Sequence, residues 1–314
     1  MAGEIHLLLE HSGDKGAAAS YVKQNSISNT NRSHYSLDAS LALASFDGGV
    51  VTRAIETVKA CRNGEAPLER GTIAVLNGLY VGDFARYRRC LVLADDPRAA
   101  ISLSDLLRPD SLDEQLLRFR PSGLEEDRRA LVSHWSRHYF VRLIPPVTAA
   151  AVLLDHRLPL GIQDIGVILD DEGRPEAFKL PNEGDRLPES CGPFGRFAHL
   201  VEDNLGPVIE KLCSYSGLSA KVLWSNAGNY FEVVVTQLAA QSRESPGSDG
   251  QALVGARFLP DGRPNPLFEP VRYVELKTAD GPAHTWRRRR LCCIRYLLEG
   301  VDLCPNCPRL GAPP

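Results

Sequence analysis

Hydrophobic positions fall into regular periods chiefly from about residue 71 onward. Before that point, residues 24–36 are rich in Ser and Asn with little to bury and read as a loop. A short helix is expected at residues 50–62, where Val51, Ile55, Val58 and Cys61 recur at helical spacing. Further on, Ser111 can cap a short helix carrying Leu112, Leu116 and Leu117. Asp113 and Glu114 stand in its first turn, where the helix dipole favours acids. A longer helix is expected over residues 124–143, with acidic residues at its start and Leu131, Trp135, Tyr139 and Leu143 stepping by four. Pro145-Pro146 should end it, because an interior proline removes a hydrogen bond and clashes with the preceding turn. Residues 147–154 then begin another buried segment.

Residues 162–169 and 175–180 flank Asp170-Asp171-Glu172-Gly173, the pattern of a β-hairpin with a Gly-containing turn. A helical pattern in Phe197, Leu200, Val201 and Leu205 is interrupted at Gly206-Pro207, then resumes through Val208, Ile209 and Leu212 until Gly217. Gly192-Pro193-Phe194-Gly195 reads as a turn. Residues 223–238 read as a further buried helix, although Val233-Val234-Val235 leaves a strand open. A polar loop is expected at 241–250. Residues 271–276 and 284–289 surround Asp280-Gly281, a second hairpin signal. These elements predict a predominantly helical α+β fold with short antiparallel hairpins, and no doubly wound parallel sheet. The expected organisation is an N-terminal extension at 1–70, a mostly helical body at 71–250, and a hairpin with a cysteine-bearing segment at 251–314.

Composition narrows the function classes. The 314 residues are 43% hydrophobic and 24% charged, which excludes wholesale disorder. A net charge of -3 offers no global reason to expect nucleic acid or an anionic membrane as partner. The longest apolar stretch, 139–154, is broken by Arg142 and the proline pair, short of the roughly 20 apolar residues a spanning helix needs. The first residues lack the pattern of a secretory signal, so a cytoplasmic location is expected. Peripheral association with a membrane stays open. In a reducing compartment the eight cysteines should not form a disulfide framework.

Those cysteines are unevenly placed. Cys61, Cys90, Cys191 and Cys213 are scattered singly and read as small packed residues. Cys292, Cys293, Cys304 and Cys307 crowd into sixteen positions near the C-terminus. Three readings are open for them: a 2Fe–2S cluster, a structural zinc, or unligated thiols. Cys304-Pro305-Asn306-Cys307 is a good zinc knuckle, but adjacent Cys292-Cys293 is a poor one, since neighbouring side chains diverge. A 2Fe–2S cluster suits the spacing better, because its four thiolates are divided between two irons. Arg287 to Arg290 precede them. On a strand these four face alternate sides, so they read as a solvated charge run that offsets cluster charge rather than as a nucleic-acid patch. His134 and His138 stand at i, i+4, but Trp135 follows His134, so a zinc-protease motif is absent and a polar rim is expected.

Cys-Cys, ten residues, Cys-x-x-Cys near the C-terminus resembles the signature of the FhuF family of ferric siderophore reductases. Other stretches match in order: Trp135, Tyr139 and Pro145-Pro146; Trp224-Ser225-Asn226; Asn265-Pro266-Leu267; and Arg295-Tyr296 after the cysteine pair. The resemblance covers roughly residues 72 to 310. It implies a cytoplasmic 2Fe–2S protein, with Cys292, Cys293, Cys304 and Cys307 as ligands, that passes one electron to the ferric ion of an imported hydroxamate siderophore. Without a dinucleotide fingerprint, a separate electron-donor protein is expected. Trp224, Asn226, Arg290, Arg295 and Tyr296 are expected to line the substrate cleft. The runner-up is a zinc-stabilised module that binds a siderophore or a protein without redox chemistry.

Overall fold

The computed structural model describes residues 70–311 except 124, 242–245 and 277–283. The helix expected at 50–62, the loop at 24–36 and the Asp280-Gly281 turn lie outside the described residues. Two 3-10 turns (Ala74–Leu79 and Gly82–Tyr87) lead into strands β1 (Leu91–Leu93) and β2 (Ile101–Ser102). Helices α1 (Leu103–Leu106), α2 (Pro109–Phe119) and the long α3 (Arg128–Leu153) follow. Next come β3 (His156–Arg157), β4 (Gly166–Leu169), β5 (Pro175–Leu180) and β6 (Asp185–Arg186). Helices α4 (Gly192–Leu200), α5 (Gly206–Ser216), α6 (Ala220–Gln241) and α7 (Pro246–Gly255) then precede β7 (Val271–Leu276), β8 (His284–Arg289) and a 3-10 turn at Arg295–Leu297. The fold is predominantly helical α+β, as the periodicity predicts.

The first expected hairpin is present: β4 and β5 pair antiparallel, with Val167 opposite Phe178. Two strands too short to give a period-2 signal widen it into a four-stranded sheet of order β1-β5-β4-β2. Here β2 adds antiparallel and β1 parallel. The hairpin turn needs its glycine. Gly173 adopts φ +70°, and a Cβ there would stand 2.6 Å from the Gln115 carbonyl oxygen on α2. The indole N–H of Trp135 donates to the Gly173 carbonyl at 2.8 Å, which ties the sheet to α3.

Several expected boundaries move. Helix α2 begins at Pro109 rather than after Ser111, because proline brings its own helical φ to the first position and its missing N–H costs nothing there. Leu112 and Leu116 are buried, whereas Leu117 is exposed. Helix α3 starts at Arg128, where the Asp127 carboxylate accepts the N–H groups of Arg129 and Ala130. It does not stop at Pro145-Pro146 but continues to Leu153, merging the expected helix with the buried segment after it. Each interior proline costs roughly 3 kcal/mol of helix stability. Around them, however, Tyr139, Phe140, Leu143, Ile144, Val147 and Val152 are all buried, and burying one such side chain contributes about 1.5–3 kcal/mol. Packing outweighs propensity.

The Gly192–Gly195 turn is instead the first turn of α4. At Gly206-Pro207 the helix is not broken but widened: residues Val201–Leu205 form a π-helical turn, closed by a bond from the Gly206 N–H to the Val201 carbonyl. Asn204 in that turn is fully buried, donating to the Leu160 carbonyl at 2.9 Å and accepting the Tyr139 hydroxyl at 2.8 Å. Residues 246–250, expected as loop, belong to α7, whose Leu253 joins the core. The Val233-Val234-Val235 run is helical within α6.

Helices α3 and α6 share the most extensive helix–helix contact. Between them and α4 lies the apolar core, where the Phe197 and Phe231 rings meet edge to face at 4.9 Å. Gly228 on α6 leaves room for Pro270, whose Cβ would otherwise stand 2.7 Å from an added Cβ. That close approach sets the start of β7 directly against α6. No described helix is long and apolar enough to cross a membrane.

Candidate metal centre

Strands β7 and β8 pair antiparallel, with Tyr273 opposite Arg287 and Val271 opposite Arg289. The strand period of two divides the four arginines between two faces. Arg287 and Arg289 turn toward α6, which meets them with Asn226, Asn229 and Glu232, spaced three apart on one face. Arg287 donates through Nε to Glu232 at 2.7 Å, and to the side chain and carbonyl of Asn229 at 2.9 and 2.7 Å. Tyr273 adds a 2.6 Å hydrogen bond to the same Glu232 carboxylate. Arg289 donates to the Asn226 side-chain oxygen. Arg288 and Arg290 instead lay their guanidinium groups over the rings of Trp286 and Phe268, 5.7 and 5.5 Å from the centroids.

The cysteine segment after β8 is fastened to the same helices. The Arg289 N–H donates to the Asn306 carbonyl at 2.8 Å, and the Asn306 side chain donates to Asn229 at 2.9 Å. The Ser133 hydroxyl on α3 donates to the Cys293 carbonyl at 2.6 Å and itself accepts from Asn226 at 3.0 Å. Between the two cysteine motifs the chain turns sharply at Ile294, a β-branched residue in the left-handed region with φ +54°. That turn brings the Ile294 N–H within 3.4 Å of Cys292 Sγ.

The four thiols consequently meet as two pairs. Cys292 Sγ lies 3.7 Å from Cys307 Sγ, and Cys293 Sγ lies 3.3 Å from Cys304 Sγ. Each pair joins one member of the adjacent couple to one member of the Cys-x-x-Cys turn. All four are free thiols, and Cys293, Cys304 and Cys307 are buried while Cys292 reaches the surface in part. The neighbouring thiols of Cys292 and then Cys304 hold the Cys293 thiol well below its usual range, with the Arg289 and Arg137 guanidiniums acting the same way. Cys292 and Cys304 are pushed up by their closeness to Cys293, with burial adding to the effect. Sulfurs bound at about 2.3 Å to one tetrahedral ion stand ~3.8 Å apart, so each pair is spaced to share a metal. Among the described residues no larger group of His, Cys, Asp and Glu side chains gathers around a single point. Two pairs of soft donors fit a two-iron cluster.

The family described as "Ferric iron reductase FhuF-like transporter" matches residues 133–281, and "FhuF 2Fe-2S C-terminal domain" matches residues 289–309. The chain belongs to the FhuF family. It is also similar to the "Ferric siderophore reductase" of Escherichia coli (strain K12), with 28% identity over 208 residues, 65% of this chain and 74% of that protein. As a FhuF protein it is an iron-reducing oxidoreductase whose cofactor is a 2Fe–2S cluster. All four C-terminal cysteines fall inside the matched 2Fe–2S domain.

The expected cleft residues of this FhuF chain are dispersed around the cysteines. Asn226 is fully enclosed, and its contacts are with Ser133 and Arg289. Trp224 is half-buried and packs on the helical core. Arg295 is buried, donating to the Asp302 carbonyl at 2.9 Å and so pinning the loop between the two cysteine motifs. Tyr296 lies beneath the Arg309 guanidinium at 4.5 Å and lines an open depression of about 470 Å³ with Glu126, Asp127 and residues 297–302. Arg290 is exposed beside Glu269. His134 and His138 form an aromatic cluster with Phe119, at 5.2 and 5.4 Å, on the rim of α3. Cys90 is buried in the core, Cys191 and Cys213 are half-buried on the body, and Cys61 lies outside the described residues. Sequence reasoning missed Ser133, Asn229 and Glu232. For Asn229 and Glu232 the signal was the i, i+3, i+6 polar stripe they form with Asn226 on α6, whereas Ser133 on α3 carried none.

Proposed function

We propose that this protein reduces the ferric ion of a hydroxamate-type siderophore by one-electron transfer, releasing Fe(II) in the cytoplasm. Electrons come from a separate donor protein. A hydroxamate cage of hard oxygens suits Fe(III) better than Fe(II), so adding one electron to the metal loosens its chelate, and no side chain need attack the ligand. When bound, a 2Fe–2S cluster supplies electrons one at a time.

The chain's own residues do the rest. Cys292 with Cys307 would hold one iron, and Cys293 with Cys304 the other. The observation that carries this reading is the pairing of the thiols at 3.7 and 3.3 Å, with Cys292 alone of the four reaching the surface. Burial of the other three keeps water from their sulfurs, while the Cys292 edge leaves a short path to a docked chelate. Arg290 and Tyr296, near Cys292 in sequence, are proposed to meet the siderophore; Asn226 through Ser133, and Arg295 through the Asp302 carbonyl, brace the segment, while Trp224 packs on the helical core.

The test is a single turnover. Anaerobically purified protein is reduced with dithionite, freed of excess reductant, and mixed with a ferric tris-hydroxamate chelate in the presence of an Fe(II)-selective dye. One Fe(II) should appear per cluster reoxidised, as read by the return of visible absorbance. A colourless protein carrying stoichiometric zinc, or a reduced cluster that persists beside the chelate, would sink the proposal.

A further inference from the structure

Four consecutive arginines approach the cysteines, but their charges are not equivalent. Arg287 is neutralised by Glu232. Arg290 is exposed beside Glu269, and Arg288 is half-buried against Trp286. Arg289 is 3% exposed, its side-chain contact is the neutral amide oxygen of Asn226, and its Nε is buried without an acceptor. No described carboxylate forms an ion pair with it. A buried guanidinium without a countercharge is costly, so an anion must stand nearby when the protein is loaded.

We infer that Arg289 is the positioning charge of the cluster: Asn226 holds it in the interior on the Cys293–Cys304 side, where the net negative charge of the four-thiolate set supplies its missing partner. This inference rests on the ligand assignment proposed above, not on the identity of the substrate. A connected path supports the placement, since Asn226 donates to Ser133 and Ser133 donates to the Cys293 carbonyl. Arg137, one turn beyond Ser133 on the same face of α3, is a second buried guanidinium. Reduction adds one negative charge. A fixed cation in a low-dielectric interior stabilises the reduced state more than the oxidised one and raises the potential.

The midpoint potential of the full-length holoprotein, titrated anaerobically with visible and EPR readouts, tests this without any siderophore. Arg289→Gln should lower the ratio of reduced to oxidised protein about tenfold at fixed potential, equivalent to about 59 mV for one electron. Arg290→Gln removes the same formal charge from the surface and should change the ratio less than threefold. Asn226→Asp neutralises Arg289 in place and should act like Arg289→Gln, and Arg289→Lys should restore most of the wild-type ratio. If Arg289→Gln keeps its iron and shifts no further than Arg290→Gln, the inference is wrong. Iron loss in Arg289→Gln that Arg289→Lys repairs supports it; iron loss in both, with Asn226→Asp unshifted, overturns it. A potential that moves as expected in a protein unable to reduce ferric hydroxamates would leave Arg289 standing and remove only the reductase reading.

Discussion

The helical body and the cysteine segment are held together by different forces. In the body, α3, α4 and α6 bury large apolar side chains, each contributing about 1.5–3 kcal/mol. Residues 290–311 contain one 3-10 turn and a small cluster of Cys293, Cys304 and Cys307, edged by Cys292, Leu303 and Leu310. Leu298, with Ile294 and Val301 beside it, packs that segment on the body's core, and hydrogen bonds to Ser133, Asn229, Arg289, Arg120 and Glu126, each worth on the order of 1 kcal/mol, fasten the rest. The body is therefore built around extensive apolar contacts, whereas the segment has few, and metal–thiolate bonds would add to its order when the cluster is bound.

The sharpest way to break this contrast is to remove the ligands one at a time. Serine at Cys292, Cys293, Cys304 or Cys307 should abolish bound iron, visible absorbance and ferric reduction while leaving the far-UV dichroism of the body intact. The same change at Cys90, Cys191 or Cys213 should keep the chromophore and cost at most about 1 kcal/mol, the full amount only at buried Cys90. Iron analysis and thermal melts across the series decide it. A chromophore lost at Cys90 but kept at Cys293 would reverse the assignment.

A core truncation probes the other region. Phe231→Ala deletes a fully buried ring stacked edge to face on Phe197 and should lower stability by about 3–5 kcal/mol, read as the denaturant midpoint. Below its melting temperature the variant should keep wild-type iron content, because no cysteine contact is touched. Iron lost in parallel with stability under native conditions would show that the two regions are one cooperative unit.

Acid offers a smaller and graded perturbation confined to the body. Burial, and then the charges of Arg157 and His156, push the His199 imidazole down to about 4. The unfolded chain protonates this ring near ~6.5, so folding favours the neutral form. Its contribution is complete above pH ~6.5 and is lost as the pH falls from there toward about 4, with a total of about 3 kcal/mol. Urea midpoints at pH 7.5 and 4.5 should therefore diverge more in the wild type than in His199→Leu. Equal divergence in the two proteins would assign the acid sensitivity to other groups.

How much of this was legible in the residues varies by region for a physical reason. The two hairpins and α6 carry their own local signals, turn glycines and apolar periods, and tertiary packing only reinforced them. The cysteine spacing likewise carried the chemistry, because soft donors in that number admit few partners whatever surrounds them. The passage of α3 through Pro145-Pro146 was not legible, since local rules assign the break a cost and cannot weigh it against burial on every side. The widened turn at Val201–Leu205 followed the same logic.

Asn226 shows the division most clearly. Its motif marked it as functional, but which groups it touches depends on α6 meeting α3 and β8, elements 93 and 63 residues away. The sorting of four identical arginines into one neutralised by Glu232, two stacked on aromatic rings and one buried without a countercharge also required the strand to be laid against a particular helix face. Residue type determined what chemistry was available to this protein. Long-range packing determined which charge stands beside which thiol, because hydrogen-bond partners and burial are properties of neighbours that the chain brings together only on folding.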